Sequence, residues 1–438
     1  MNAPSTALVV TTTLPAVTLV TSAPQPSIEE RCIKRYGFYR PELLLSVNDK
    51  TGKVAIKPNA VNYRIILENV KDLDLRFSVF EQCELINGQA LTDIHIKEAR
   101  ERVIRMLGMN VNRTDVSDAL ELIADRHKYN PLKEWFEKLP APEGKGYLDR
   151  WLFDVCGCQE ENEINRVLGR KWLISAVARA MKPGCYVEGS LIFFGRQGIG
   201  KTWLFQNLNP KPEYYSGEEL NISNKKEAAA VCAGKFIIEL GELNSIRRNE
   251  LNSMKQYLTE THDTYQPKYK QKAITVPRMH VFGGSTNDET FLTDPTGNRR
   301  FWCVAAGEKI DQKLFLAIKE QLWAEALAAY RAGEQWTLTN EERVMLGEAN
   351  EQFMVEDPLV AFLDEALNDL FSADTFFTTN KLLQNVLQTY KGKGTVHPKA
   401  LAAAIQSLGW SKGQETTGKH RKGYRRPLQA TVEEVDGA

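Results

Sequence analysis

No net charge distinguishes this chain of 438 residues: 56 Lys and Arg balance 56 Asp and Glu. A global basic field that would draw in nucleic acid is thereby excluded, and any such binding has to come from local patches. A disulfide framework is missing as well. The seven cysteines, Cys32, Cys83, Cys156, Cys158, Cys185, Cys232 and Cys303, are odd in number and scattered through stretches that read as core strands and helices. That usage fits reduced thiols in a cytoplasmic protein. Cys156-Gly-Cys158 has no second Cys or His pair nearby, which argues against a zinc site. No apolar segment is long enough to span a bilayer, so no membrane partner is expected. The stretch 1–26, rich in Thr, Ala, Val and Pro, lacks a basic n-region, and Pro15 interrupts its apolar run; it reads as a disordered tail. What remains is an ordinary globular composition, 42% hydrophobic and 26% charged, with length for roughly two to four domains.

The most informative stretch is Leu191-Ile-Phe-Phe-Gly-Arg-Gln-Gly-Ile-Gly-Lys-Thr202. An apolar run that reads as a buried strand feeds a glycine-rich turn, and Gly200-Lys201-Thr202 then opens a helix through Trp203. This is the pattern of a P-loop. Gly195, Gly198 and Gly200 let backbone N–H groups approach phosphate oxygens with no Cβ in the way, and Gln197 and Ile199 complete the cradle. Lys201 is placed to reach the β and γ phosphates of ATP, and Thr202 to put its hydroxyl on Mg²⁺. A chance match in a glycine-rich loop is the alternative, but strand, loop and helix occur in the order the chemistry needs.

Downstream, Lys235-Phe-Ile-Ile-Glu-Leu-Gly-Glu242 describes a central parallel strand that delivers acid to its carboxyl edge, where open α/β sheets bind ligands. Glu239 is the candidate to support the metal and Glu242 the candidate to polarise water, unless one of them caps the following helix. A second strand over Val276–Gly283 runs to Asn287, an amide placed to sense the γ-phosphate or hold the lytic water. Thr296-Gly-Asn-Arg-Arg-Phe-Trp302 then offers Arg299 and Arg300, either of which could reach bidentately for phosphate, including that of a neighbouring subunit. A surface ion pair is the plainer use of either.

Around this core, 27–90 is a small α+β region with no motif of chemistry. Tyr39–Ile56 suggests strands about the turn Asn48–Gly52, and Tyr63–Phe80 another strand and turn. Amphipathic helices over Ile96–Leu107 and Val116–Lys128, the second capped by Thr114, begin a helical collar or lid spanning 91–184. An α/β core over 185–335, a helical linker over 336–356, a domain over 357–428 and a tail over 429–438 complete the chain. In 357–428, three helices followed by a basic two-strand stretch suggest a winged helix. Its Lys412, Lys419, Arg421, Lys422, Arg425 and Arg426, interleaved with Trp410 and Tyr424, are candidate DNA contacts. A basic tail on a protein-binding domain would look similar.

Taken together, Gly195–Thr202, Glu239-Leu-Gly-Glu-Leu243, Pro277-Arg278 running to Ser285-Thr-Asn287, and Thr296–Trp302 resemble the virulence-associated protein E family, P-loop ATPases of phages and mobile elements related to superfamily 3 helicases within the AAA+ group. The resemblance is strong over Asn130–Val304. Gln266 stands where that pattern leads one to expect arginine, and Cys303 where it leads one to expect proline. The resemblance implies a homo-hexameric, ATP- and Mg²⁺-dependent motor on single- or double-stranded DNA. A pore hairpin would carry Lys268, Lys270 and Lys272, which on any other fold are ordinary surface residues. No primase constellation of paired acids stands upstream, so primer synthesis or origin recognition would come from a partner. The competing expectation is a nucleotide switch that remodels or loads proteins, or acts in phage defence, without moving on DNA. A small-molecule kinase is disfavoured by the late arginines and the sensor-like asparagine.

Overall fold

A computed structural model describes residues 26–159, 162–241, 248–267, 272–292, 298–355, 358–371, 376–378, 380, 398–414 and 421–425. The chain divides into two compact units, the first reaching Tyr129 without Phe80–Gln82, the second holding those three residues and everything from Asn130.

In the first unit, α1 (Ile28–Tyr36) is opened by a Ser27/Glu30 capping box and closed by Gly37 in a left-handed conformation. The hairpin β1 (Leu45–Val47) and β2 (Val54–Ile56) follows. Tyr63 does not begin a strand. It lies in α2 (Ala60–Glu68), because Asn59 caps that helix at Asn62 N–H and its face buries Tyr63, Ile65, Ile66 and Leu67. Strands β3 (Leu75–Ser78), β4 (Cys83–Ile86) and β5 (Gln89–Ala90) precede α3 (Asp93–Leu107), α4 (Arg113–Arg126) and β6 (Lys128–Tyr129), in the sheet order β5-β4-β3-β6. Asn112, not Thr114, caps α4: its carboxamide oxygen accepts the Thr114 N–H at 3.0 Å. Val103, Val116, Leu120 and Ile123 of α3 and α4 share one core with Ile66 of α2 and Leu75 of β3. Those two helices, grouped above with a collar, therefore fold with the small α+β region.

The second unit starts with α5 (Pro131–Glu137), α6 (Tyr147–Asp154) and α7 (Glu163–Met181). Helix α7 is buried on nearly every side, its polar Asn165, Lys171, Ser175 and Arg179 included. Then come β7 (Ser190–Phe194), α8 (Lys201–Leu208), β8 (Tyr215–Ser216), α9 (Lys225–Cys232), β9 (Ile237–Leu240), α10 (Arg248–Leu258), β10 (His262–Tyr265), β11 (Ile274–Pro277), β12 (Val281–Thr286), β13 (Phe301–Ala305), α11 (Gln312–Arg331) and α12 (Asn340–Glu351). Five strands form one sheet, parallel throughout, in the order β13-β7-β12-β9-β8. Both β7 and β9 are buried along nearly their whole length, as strands covered on both faces require. Trp172 of α7 donates to Phe282 O at 2.9 Å, and Phe205 of α8 lies against Gly283 so closely that a Cβ there would stand 2.2 Å from the ring. Absence of a side chain on the central strand thus lets the first helix after β7 settle onto the sheet.

The expected strand over Val276–Gly283 is two strands. Strands β10 and β11 pair as a separate antiparallel hairpin, and Arg278–His280 carry the chain from it into the sheet. The break has a cause: the Arg278 side chain, 1% exposed, turns inward to Asp263 at 2.7 Å and to Tyr257 O at 2.5 Å. Beyond α12, α13 (Pro358–Phe371), β14 (Phe376–Thr378), α14 (Pro398–Ser407), β15 (Ser411–Gln414) and β16 (Lys422–Arg425) enclose a small core of Leu363, Phe377, Ile405, Trp410 and Tyr424. The helix expected over Lys381–Tyr390 lies outside the described residues. Among the described residues no helix is long and apolar enough to cross a membrane.

Two outcomes follow from this packing. Gly283→Ala should lower stability by about 1–3 kcal/mol, read as a lower thermal midpoint in circular dichroism. Burial, with Arg278 and Arg179 adding repulsion, holds His280 well below its ordinary value of 6.5, so the folded ring is neutral and its 3.9 Å approach to Asp263 is no ion pair. As pH falls through 6.5 the unfolded chain takes up a proton that the folded one refuses, and stability declines by up to about 1.4 kcal/mol per pH unit. Denaturant titrations at pH 7.5 and 5.5 should show a smaller decline in His280→Gln.

Candidate nucleotide and metal site

Strand β7 delivers the glycine-rich loop to the carboxyl edge of the sheet. Gly195 N–H bonds Thr286 O at 3.2 Å, tying the loop to the end of β12, and Ile199 O accepts Ile310 N–H at 3.0 Å from behind. Gly198 and Gly200 hold φ of 83° and 107°, left-handed values a side chain would resist. Gln197 and Gly198 stand exposed at the tip, Ile199 is buried beneath them, and Trp203 packs edge-on against Phe315 at 5.8 Å.

Lys201, 6% exposed, sends its ammonium to Gly195 O, to Arg196 O at 3.0 Å and to Asn287 Oδ1 at 2.8 Å. Burial lowers its pKa and the charge of Glu239 opposes that shift. Glu239, 3% exposed, is the last residue but one of β9. Its Oε1 accepts Thr202 Oγ1 at 3.0 Å and Ser285 Oγ at 2.6 Å, and its Oε2 accepts the Tyr215 hydroxyl at 2.5 Å. The Tyr215 phenol is pushed up, first by burial and then by the bond to that carboxylate. Thr202, Tyr215, Glu239, Ser285 and Asn287 line a cavity of about 290 Å³.

Lys201, Thr202, Glu239 and Asn287, read from separate stretches of sequence, thus meet at one edge. Ser285, quoted above only as part of the stretch leading to Asn287, and Tyr215, which no motif marks, join them through their hydroxyls. Arg299 and Arg300 do not join them. They precede β13, whose Phe301 pairs with Ser190 at the amino end of β7, so they stand at the opposite edge from the P-loop. Lys272 is exposed on the β10–β11 hairpin, and Lys412, Arg421, Lys422 and Arg425 are exposed on or beside β15 and β16. Trp410 and Tyr424, read as interleaved with these cations, are core residues instead, since Phe377 packs on both. Glu242, Lys268, Lys270, Lys419 and Arg426 lie outside the described residues.

The model of the virulence-associated protein E-like domain matches residues 136–355, half of the chain. The chain belongs to that family. The VapE-like span opens in α5 and closes just after α12, so it takes in the whole parallel sheet, the P-loop and the hairpin. Solved structures similar to this VapE-like chain include the apo structure of the NrS-1 C terminal region (305-718), at 14% identity over 83% of this chain and 98% of that one, with a TM-score of 0.48. An A form apo structure of the same region is similar at 13% identity, covering 84% and 99% of the two chains, with a TM-score of 0.46. No curated protein matches.

The donor set fits a Mg²⁺-bound nucleoside triphosphate. Mg²⁺ takes one or two carboxylates and fills its remaining positions with waters and substrate phosphate oxygens, which suits the buried Glu239 carboxylate beside the Thr202 hydroxyl. Among the described residues no cluster of three His, Cys, Asp or Glu could cage a metal by itself. Tyr215→Phe would remove one of the groups that orient Glu239. Its expected effect is a roughly tenfold higher Mg²⁺ concentration for half-saturation of a fluorescent ATP analogue, with the far-ultraviolet spectrum unchanged.

Proposed function

We propose that this VapE-like protein is an ATP-hydrolysing DNA motor of the superfamily 3 and AAA+ type, serving replication or origin melting in a phage or mobile element. The observation that carries the reading is the convergence of Thr202, Glu239 and Asn287 on one cavity at the carboxyl edge of a parallel sheet, with the Lys201 ammonium bonded to Asn287 at its rim. ATP supplies the transferable phosphoryl group and Mg²⁺ the charge neutralisation when both are bound. Lys201 exchanges its bonds to the loop carbonyls for phosphate oxygens, and Gly198 and Gly200 keep the loop backbone open to them. Thr202 and Glu239 hold the metal, Asn287 orients the γ-phosphate, and Glu242 takes the water-activating role. Arg300, or Arg299 in its place, is assigned to a neighbouring subunit's site. Its position at the far edge of the sheet favours action across a boundary and is the support for a homo-hexamer.

The β10–β11 hairpin with its Lys268, Lys270 and Lys272 is assigned to the DNA strand in the pore. The C-terminal α13, α14 and antiparallel β14-β16-β15 sheet are assigned to a winged-helix-like DNA contact through Lys412, Arg421, Lys422 and Arg425. A cytoplasmic location with a separate primase or initiator completes the proposal.

Steady-state ATP hydrolysis with and without single-stranded DNA tests it. Wild type should turn over ATP with Mg²⁺ and be stimulated by DNA, Lys201→Ala should be silent, and changing Lys268, Lys270 and Lys272 together to Ala should remove the stimulation alone. Turnover indifferent to DNA would instead favour a switch that remodels or loads protein partners.

A further inference from the structure

One charged surface plays no part in the site described above. Ser27 to Lys57 carry seven Lys and Arg against four Asp and Glu. Among the described residues none of those seven cations makes an ion pair, whereas in the rest of the first unit Arg64, Arg76, Arg102, Arg105, Arg113, Arg126 and Lys128 each meet a carboxylate. Among the described residues only Lys71, ahead of β3, and Lys97 and Arg100, on α3, lack such a pair there, whereas all seven cations of 27–57 do.

Geometry gathers these groups. Arg31 Nη1 donates to Gly52 O at 2.8 Å and Arg35 Nη1 to Val54 O at 2.6 Å, so α1 lies along an edge of β2 with the turn carrying Lys50 and Lys53 at its side. The Arg35 guanidinium rests 5.0 Å over the ring of Tyr36, whose hydroxyl accepts the Ile56 N–H. Both arginines are thereby held in place while other N–H groups of each stay available. Strand β2 buries Val54 and Ile56, so alternation turns Lys53, Ala55 and Lys57 outward, and Ser46 stands opposite Ala55. Two lysines thus flank a strip of small residues that a sugar-phosphate chain can approach closely. Tyr36, Phe38 and Tyr39 pack against the core and offer no stacking platform. The acids nearby are few: Glu30 is engaged at Ser27 N–H, leaving Glu29 at the first turn of α1, Glu42 between α1 and β1, and Asp49 beside Lys50.

We infer that α1 and the β1–β2 hairpin form a nucleic-acid-binding surface that grips the phosphodiester backbone with little regard to base sequence. Fixed guanidinium groups suit phosphate oxygens geometrically, lysines add point charge, and no internal carboxylate competes for either. This contact is additional to the hairpin and C-terminal cations of the second unit.

The test is fluorescence anisotropy of the full chain, without nucleotide, against a labelled thirty-base dT strand and a thirty-base-pair duplex from 50 to 200 mM NaCl. The variant is Lys34→Ala/Lys53→Ala/Lys57→Ala, three exposed side chains with no structural bond to lose. A control of equal charge is Lys71→Ala/Lys97→Ala/Lys226→Ala, also exposed. The expected result is a Kd raised about tenfold at 100 mM salt on at least one of the two DNAs, a log–log salt slope shallower by about two to three, and a control within twofold of wild type. A change under twofold on both DNAs, or an equal loss in the control, overturns the inference. So does binding to phosphatidylserine vesicles that the variant loses while its DNA affinity is unchanged. Because no nucleotide is present, the outcome is independent of whether the chain hydrolyses ATP.

Discussion

A carboxylate buried at the end of a parallel strand has to be satisfied, and the way Glu239 is satisfied organises the sheet edge. Its two oxygens take three hydroxyls from three different elements: Thr202 at the head of α8, Ser285 near the end of β12 and Tyr215 on the edge strand β8. An unpaired carboxylate there would cost several kcal/mol, whereas each charge-assisted bond returns roughly 1.5–3. The strand order makes the arrangement possible. Because β12 lies between β7 and β9, Ser285 and Asn287 come up between the P-loop and the acid, so that Lys201 bonds Asn287 just past β12 while Glu239 bonds Ser285 on it. The same bonds that stabilise this edge point hydroxyls and carboxylate at one cavity.

Away from that edge, the hairpin depends on a second buried network. Arg278 holds Asp263 with two N–H groups, takes the carbonyl of Tyr257 at the end of α10 and lies 4.2 Å over the Tyr257 ring. Arg179 of α7 reaches Glu260 O at 3.1 Å and leaves Nε and Nη1 without a partner among the described residues. Burial lowers the Arg179 pKa to about 10 and pushes the Asp263 carboxyl up even against the neighbouring Arg278. Two guanidinium groups so enclosed are costly, and removing Asp263 alone would leave Arg278 buried and poorly compensated. What they secure is direction: α7, α10 and both hairpin strands meet at one point.

How much was legible in the sequence follows from how local each signal is. The P-loop, the acid-bearing strand and Asn287 are written in contiguous stretches whose order mirrors the chemistry, so they could be read directly. The roles of Tyr215 and Ser285 could not, since a single hydroxyl gains meaning only from the order of strands, which no short stretch encodes. Tyr63-Arg-Ile-Ile-Leu67 looks like a strand because its side chains are bulky and apolar. Asn59 and the packing of α2 on α4 decide otherwise, with tertiary burial outweighing local preference. Trp410 and Tyr424 misled for a related reason. Aromatic rings among basic residues resemble a nucleic-acid face, yet a three-stranded sheet this small needs both rings to close its core against Phe377.

The sheet also separates two chemistries by its own length. Register fixes Phe301 beside Ser190, and five residues of β7 then span about 13 Å before the P-loop begins. Arg299 and Arg300 therefore face one end of the strands while Lys201 and Glu239 occupy the other. No rotamer change brings a guanidinium across that distance through a packed core, where interdigitated side chains leave no channel. If either arginine acts on a phosphate held beside a Lys201, that phosphate lies in another copy of the chain, presented against the amino edge of this sheet. The ring of subunits proposed above would meet that condition, because each amino edge could then face a neighbour's carboxyl edge, and a closed ring would leave no site without its arginine.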